Sequence, residues 1–128
     1  MQDNLKHKDI LIIKAKEDLD AAKKLFQCDG FSEEIILFHC QQATEKALKA
    51  YLDLKNISYP KSHDLETLLS LCVEGEPSFK TIEFITSLTS YAVDIRYDEF
   101  VELPKEEISE ILKQTENALE FILKKIGS

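Results

Sequence analysis

The 128-residue sequence has one arginine, three glycines, three prolines, one methionine and no tryptophan. So few helix breakers leave room for long uninterrupted elements. The glycines, Gly30, Gly75 and Gly127, are isolated, which excludes a Gly-rich phosphate loop. No apolar run approaches the ~18 residues of a membrane span. The opening residues, Met1 to Leu5, lack the basic-then-apolar pattern of a secretory leader. The cysteines, Cys28, Cys40 and Cys72, are odd in number and form no C-x-x-C pair, which argues against a zinc knuckle or redox motif. They read as small buried hydrophobes in a reducing cytoplasm. His39 and Cys40 do not make a nucleophilic pair, because adjacent helical residues point about 100° apart. Three histidines without an i,i+4 pair, and no dense acidic constellation, predict neither a metal site nor a cofactor.

Basic charge is also short. Acidic residues outnumber basic ones 24 to 16, for a formal charge of −8. A chain this acidic repels a phosphate backbone and does not bind nucleic acid unaided through its overall field. All the basic residues except Arg96 are lysine. A site needing a planar bidentate fork therefore has one candidate. The length fits one domain spanning 1–128, with one core burying roughly two-thirds of the unfolded surface.

What the sequence does have is helical periodicity. Ile12, Ala15, Leu19, Ala22 and Phe26 recur at steps of three and four, predicting a helix over 5–28 ahead of Gly30. Ser32 is a candidate N-cap, with Glu33 and Glu34 in the first turn of a second helix reaching residue 55. Pro60 closes the loop that follows. Asp64 can cap a short third helix through 72, and Pro77 can open a fourth. That fourth helix carries Phe79, Ile82, Ile85, Leu88 and Ala92 and reaches Arg96. Pro104 opens a fifth, with Ile108, Ile111, Leu112, Thr115, Leu119, Ile122 and Ile126 in one stripe. Nothing alternates with period two. The expected fold is all-α, an antiparallel up-and-down bundle of four long helices plus one short helix.

The second helix is unusual. On a wheel of 100° per residue, Ile36, Cys40, Ala43, Ala47, Ala50 and Leu54 share a face of mostly small residues. His39, Gln42, Glu45, Lys46 and Lys49 occupy an arc of roughly 120° opposite. That arc is either a solvated face, with Glu45 and Lys49 as an i,i+4 pair, or an interface. Ile35, Phe38 and Leu52 fall within or beside it. A face mixing Phe and Ile with charge suits an interface, where desolvated charges must be partnered. Arg96 either completes the dipole of the fourth helix or is a guanidinium aimed into a cleft to grip phosphate or carboxylate.

Three segments together resemble the HEPN domain (higher eukaryotes and prokaryotes nucleotide-binding). They are His39-Cys40-Gln41-Gln42-Ala43-Thr44-Glu45-Lys46-Ala47-Leu48-Lys49-Ala50, Ser62-His63-Asp64-Leu65 and Asp94-Ile95-Arg96-Tyr97. The resemblance runs from Ile12 to Ile126. It implies a helical bundle that dimerises and pairs with a small nucleotidyltransferase, often as a toxin–antitoxin couple. It also implies a site at Gln42, Glu45, Lys46, Lys49, His63, Asp64, Arg96 and Tyr97, serving as a nucleotide pocket or an interface. Many members are metal-independent ribonucleases whose motif is an arginine, four to six residues, then a histidine. Here that spacing lands on Val101, Glu102 or Leu103, and no histidine follows Arg96.

Three readings follow. The first is a non-enzymatic module that dimerises, acts with a nucleotidyltransferase and binds nucleotide near Lys46, Lys49 and Arg96. The second is a divergent ribonuclease using Arg96 with His63 or His39 as the proton-transfer group. The third is a purely structural dimerisation module. Asp64 and His63 can equally be a helix cap, and Tyr97 a packed ring.

Overall fold

Small residues decide how the first two helices meet. α1 (His7–Phe26) buries Ala15 and Ala22, and α2 (Glu33–Leu54) buries Ala43, Ala47 and Ala50. Small buried residues on both helices leave room for the two backbones to approach closely. They run antiparallel, since His7 at the start of α1 touches Asp53 at the end of α2. The computed structural model describes residues 6–28, 32–89 and 103–127. The remaining elements are α3 (Leu65–Gly75), a 3-10 segment (Pro77–Ser87) and α4 (Lys105–Ile126). Among the described residues there is no strand, and the architecture is an all-α bundle.

Local chemistry sets the boundaries. Asn56 adopts a left-handed φ of 58° after α2. Its N–H donates to the Asp53 carbonyl at 3.1 Å, and the Ile57 N–H donates to Leu52 at 2.9 Å. This is a Schellman closure with Asn in the glycine position. Asp64 caps α3, its carboxylate accepting from the Glu66 N–H at 3.2 Å and from the Thr67 hydroxyl at 2.9 Å. α3 runs to Gly75, three residues past the expected end at 72. Pro104 is the N-cap of α4, and Gly127 ends it at φ 92°.

The fourth element differs in kind from the expected α-helix. Pro77–Ser87 is 3-10, with a break at Ile82 (φ −112°, ψ 22°). Its buried residues, Phe79, Ile82 and Ile85, are followed by buried Leu88 at the same step of three. A 3-10 helix has three residues per turn, so a step of three suits the buried residues of this segment to one side, with Leu88 just past its end. Hydroxyls reinforce the tighter turn. Thr81, Thr86 and Ser87 each donate to the carbonyl three residues back. The continuation of this element through Ala92 to Arg96 lies outside the described residues.

The core is one cluster. Phe79 is fully buried, its ring tilted against Tyr51 at 4.6 Å between centroids and edge-on to Phe121 at 5.2 Å. Ile36, Leu48, Leu65, Leu68, Ile108 and Ile122 are fully buried around it. Burying each such side chain contributes roughly 1.5–3 kcal/mol. Cys40 and Cys72 belong to this core, and burial pushes their thiols up to about 11 and about 12. They stay protonated at neutral pH, as small hydrophobes.

Candidate functional site

The outward side of α2 carries the charged residues. Glu45 sits at its edge, with the residue only 3% exposed. Its carboxylate accepts from Lys49 Nζ at 2.9 Å, from Gln41 Nε2 at 2.9 Å, and from His63 Nδ1 at 3.0 Å to each oxygen. Burial alone would raise the Glu45 carboxyl. The Lys49, Gln41 and His63 donors outweigh it and hold the group below its ordinary value. An ionised carboxylate only accepts, so His63 Nδ1 carries the proton in these contacts. The His63 side chain is 68% exposed.

A second cluster forms across the α1–α2 seam. Asp18 Oδ2 accepts from Lys46 Nζ at 2.6 Å, and Oδ1 accepts from His39 Nδ1 at 2.9 Å. The Asp18 side chain is 13% exposed and those of Lys46 and His39 are both 27%. Two lysines and two histidines thus hang on two carboxylates, one cluster along each edge of α2. Between them Ile35 (48% exposed) and Phe38 (40%) stand out into solvent. The Phe38 ring meets His39 edge-on at 6.1 Å.

Of the residues expected here, Glu45, Lys46, Lys49, His63 and His39 share this region. Asp64 does not reach it, being occupied in capping α3. Gln42 is half-buried and donates to Gln41 Oε1 at 2.8 Å. The fully buried Gln41 ties the site together, since its amide also donates to the His63 carbonyl at 3.0 Å. Arg96 and Tyr97 lie outside the described residues.

Asp18 and Gln41 are the residues that sequence reasoning missed. Asp18 follows Ala15 by three and precedes Ala22 by four, so it is in register with the buried positions of α1. An acid in that register needs a partner. Gln41 falls on the α2 wheel among Leu37, Leu48 and Leu52, all buried, which is the same kind of signal.

An open crevice of about 650 Å3 lies beyond His63, lined by Ser58, Tyr59, Pro60, Glu66, Thr67, Ser70 and Leu71. Its charged lining residue is Glu66, which opposes a phosphate there. Among the described residues, no group of three or more His, Cys, Asp or Glu is placed to hold a metal ion, and no helix is long and apolar enough to cross a membrane. Every buried side-chain nitrogen and oxygen among them has a hydrogen-bond partner.

The HEPN domain model matches residues 9–126 of the chain. A protein of Methanocaldococcus jannaschii named "Putative toxin MJ1304" is 33% identical over 135 aligned positions, covering 93% of this chain and 88% of that protein. No solved structure matches the chain significantly.

Proposed function

The chain belongs to the HEPN domain family, and on that premise we propose that it is the toxin-like member of a two-component system, an interaction module. In this reading it dimerises through the outward face of α2 and acts with a nucleotidyltransferase partner in the cytoplasm. One observation carries the reading. Phe38 and Ile35 are exposed on a face whose lysines are already neutralised by Asp18 and Glu45. A solvated face gains nothing from exposed Phe and Ile, whereas an interface needs apolar area and charges that are already partnered. The similarity to a protein named as a toxin supports the system type.

The test is to co-express the chain with the product of its adjacent gene, purify them together and measure the mass of what elutes. A single species containing both chains is expected. Separate elution of the two at micromolar concentration contradicts the partnership.

A nucleotide competes for the same face. Its phosphates would have to displace Asp18 and Glu45 from Lys46 and Lys49. Nucleotide binding at one hundred times the dissociation constant adds roughly 2.7 kcal/mol, several degrees in Tm for a domain of this size. The interface reading predicts no such shift with any nucleoside mono-, di- or triphosphate.

The ribonuclease reading has one observation in its favour. His63 is oriented through Nδ1 by a buried carboxylate while its side chain is largely exposed, an arrangement that suits a general base. It requires RNA cleavage in EDTA that is lost in His63→Ala. Intact RNA at high protein concentration removes it.

A further inference from the structure

The crevice beyond His63 has two walls of different origin. Ser58, Tyr59 and Pro60 come from the loop after α2, and Glu66, Thr67, Ser70 and Leu71 from α3. Glu66 and Ser70 are one helical turn apart, as are Thr67 and Leu71, so the four share a side of α3. Both walls are held from behind. The Tyr59 hydroxyl donates to Asp53 Oδ1 at 3.1 Å, and Asp53 Oδ2 is held in turn by His7 Nδ1 at 2.6 Å. The Thr67 hydroxyl donates to Asp64 Oδ2 at 2.9 Å. The volume of about 650 Å3 lies within the roughly 300–1,000 Å3 of small-ligand sites.

Those hydrogen bonds decide what the crevice can offer. Tyr59 and Thr67 have each given away their one hydroxyl proton, which leaves their oxygens with acceptor capacity alone. Burial and Asp53 push the Tyr59 phenol up to about 12, so it stays neutral at physiological pH. The Glu66 carboxylate adds further acceptors and the site's one lining charge. Ser58 and Ser70 are the adaptable hydroxyls, while Pro60 and Leu71 supply apolar contact. Among the described residues, no lysine, arginine or histidine lines the crevice. The Tyr59 ring already takes a cation, the Lys49 ammonium 5.9 Å from its centroid.

We propose that this crevice binds a small monocationic amine with an apolar body, its ammonium on Glu66 and Thr67 and its body against Tyr59, Pro60 and Leu71. An ammonium brings only donors, and the groups fixed here only accept. One lining carboxylate matches one positive charge. A phosphorylated ligand meets no fixed donor and is repelled by Glu66. A neutral polyol needs fixed donors as well as acceptors. The formal charge of −8 also raises the concentration of small cations around the chain. The site lies on α3 and the loop before it, so it stands or falls independently of the α2 interface.

Three small molecules of one shape test this in the full chain. Tyramine, tyrosol and 4-hydroxyphenylacetate share a body and carry a positive charge, none and a negative charge. Each is titrated into the 15N-labelled protein at neutral pH, and amide shifts are followed residue by residue. Tyramine should move the amides of Ser58, Tyr59, Glu66, Thr67, Ser70 and Leu71 together and saturably. Tyrosol should bind roughly three- to tenfold more weakly, the value of a charge-assisted contact in a partly open site, and 4-hydroxyphenylacetate should move nothing there. Glu66 is exposed and meets the Asp64 cap through its backbone N–H, so Glu66→Gln should fold as wild type. That variant should bind tyramine no better than wild type binds tyrosol. Tyramine shifts that are absent, or scattered over the acidic surface instead of gathered at the crevice, overturn the proposal. So does equal binding of the anion, or tyramine affinity unchanged in a folded Glu66→Gln.

Discussion

Asp18 on α1 and Lys46 on α2 are 28 positions apart and meet at 2.6 Å between Oδ2 and Nζ. The same carboxylate holds His39, so one acid on the first helix fixes two basic side chains two turns apart on the second. The α1–α2 seam therefore has a polar lock beside its alanine packing.

Asp18→Ala should destabilise the fold by about 1–3 kcal/mol, the range for losing hydrogen bonds to a charged group. The half-buried Lys46 and His39 are left without their acceptor. Urea denaturation of Asp18→Ala, Lys46→Ala and the double variant should give a double variant less destabilised than the sum of the two single ones. Strict additivity would mean the pair contributes nothing.

Glu45 sets an acid limit on stability. Burial opposes its ionisation, but the Lys49, Gln41 and His63 donors prevail and hold its carboxyl below 4.5. A carboxylate depressed in the folded state contributes stability that is complete above its unfolded pKa and is lost as pH falls through the folded one. Tm should therefore fall more steeply for wild type than for Glu45→Gln as pH drops below about 4.5. Parallel curves would show that the cluster carries no linkage. At neutral pH, Glu45→Ala should cost about 1–3 kcal/mol, since it removes the acceptor of Lys49, Gln41 and His63 but leaves Lys49 and His63 in reach of water.

The thiols divide by position. Cys28 is exposed, whereas Cys40 and Cys72 are buried with thiols pushed up to about 11 and about 12. A thiol-specific reagent at pH 8 should modify Cys28 in the folded protein and all the cysteines after unfolding. Rapid native modification of Cys40 or Cys72 would show that the core opens more readily than this packing allows.

Phe79→Ala should cost about 3–5 kcal/mol, since it removes a fully buried ring clasped between Tyr51 and Phe121. Thermal or urea unfolding measures this directly. A loss below about 1 kcal/mol would mean that the 3-10 segment is not anchored through this ring.

α1, α2 and α4 were legible because their apolar stripes follow the helical period between recognisable caps. The i,i+4 pair of Glu45 and Lys49 was also legible, as was the Asp64 cap. The fourth element is a helix, as expected, but of the 3-10 kind over Pro77–Ser87. Phe79, Ile82, Ile85 and Leu88 fit both three and 3.6 residues per turn over so short a stretch, and Pro77 opens either helix. Asp18 and Gln41 were missed because a wheel shows which side faces inward but not what waits there. The partners of Gln41 include a loop carbonyl, that of His63, which no periodicity encodes. The sequence leaves His63 open between a site residue and a turn residue beside Asp64; it reaches back to Glu45 because the α2–α3 loop folds against α2.

The claim on which the rest depends is that the outward face of α2 is an interface. Sedimentation of the wild-type chain and of Phe38→Glu at tens of micromolar tests it most directly. Phe38 is 40% exposed, so the variant should fold normally. The account predicts a wild-type mass of twice 14.7 kDa and a folded Phe38→Glu at 14.7 kDa. A wild-type chain that sediments at 14.7 kDa, or a Phe38→Glu chain that remains fully dimeric, contradicts it.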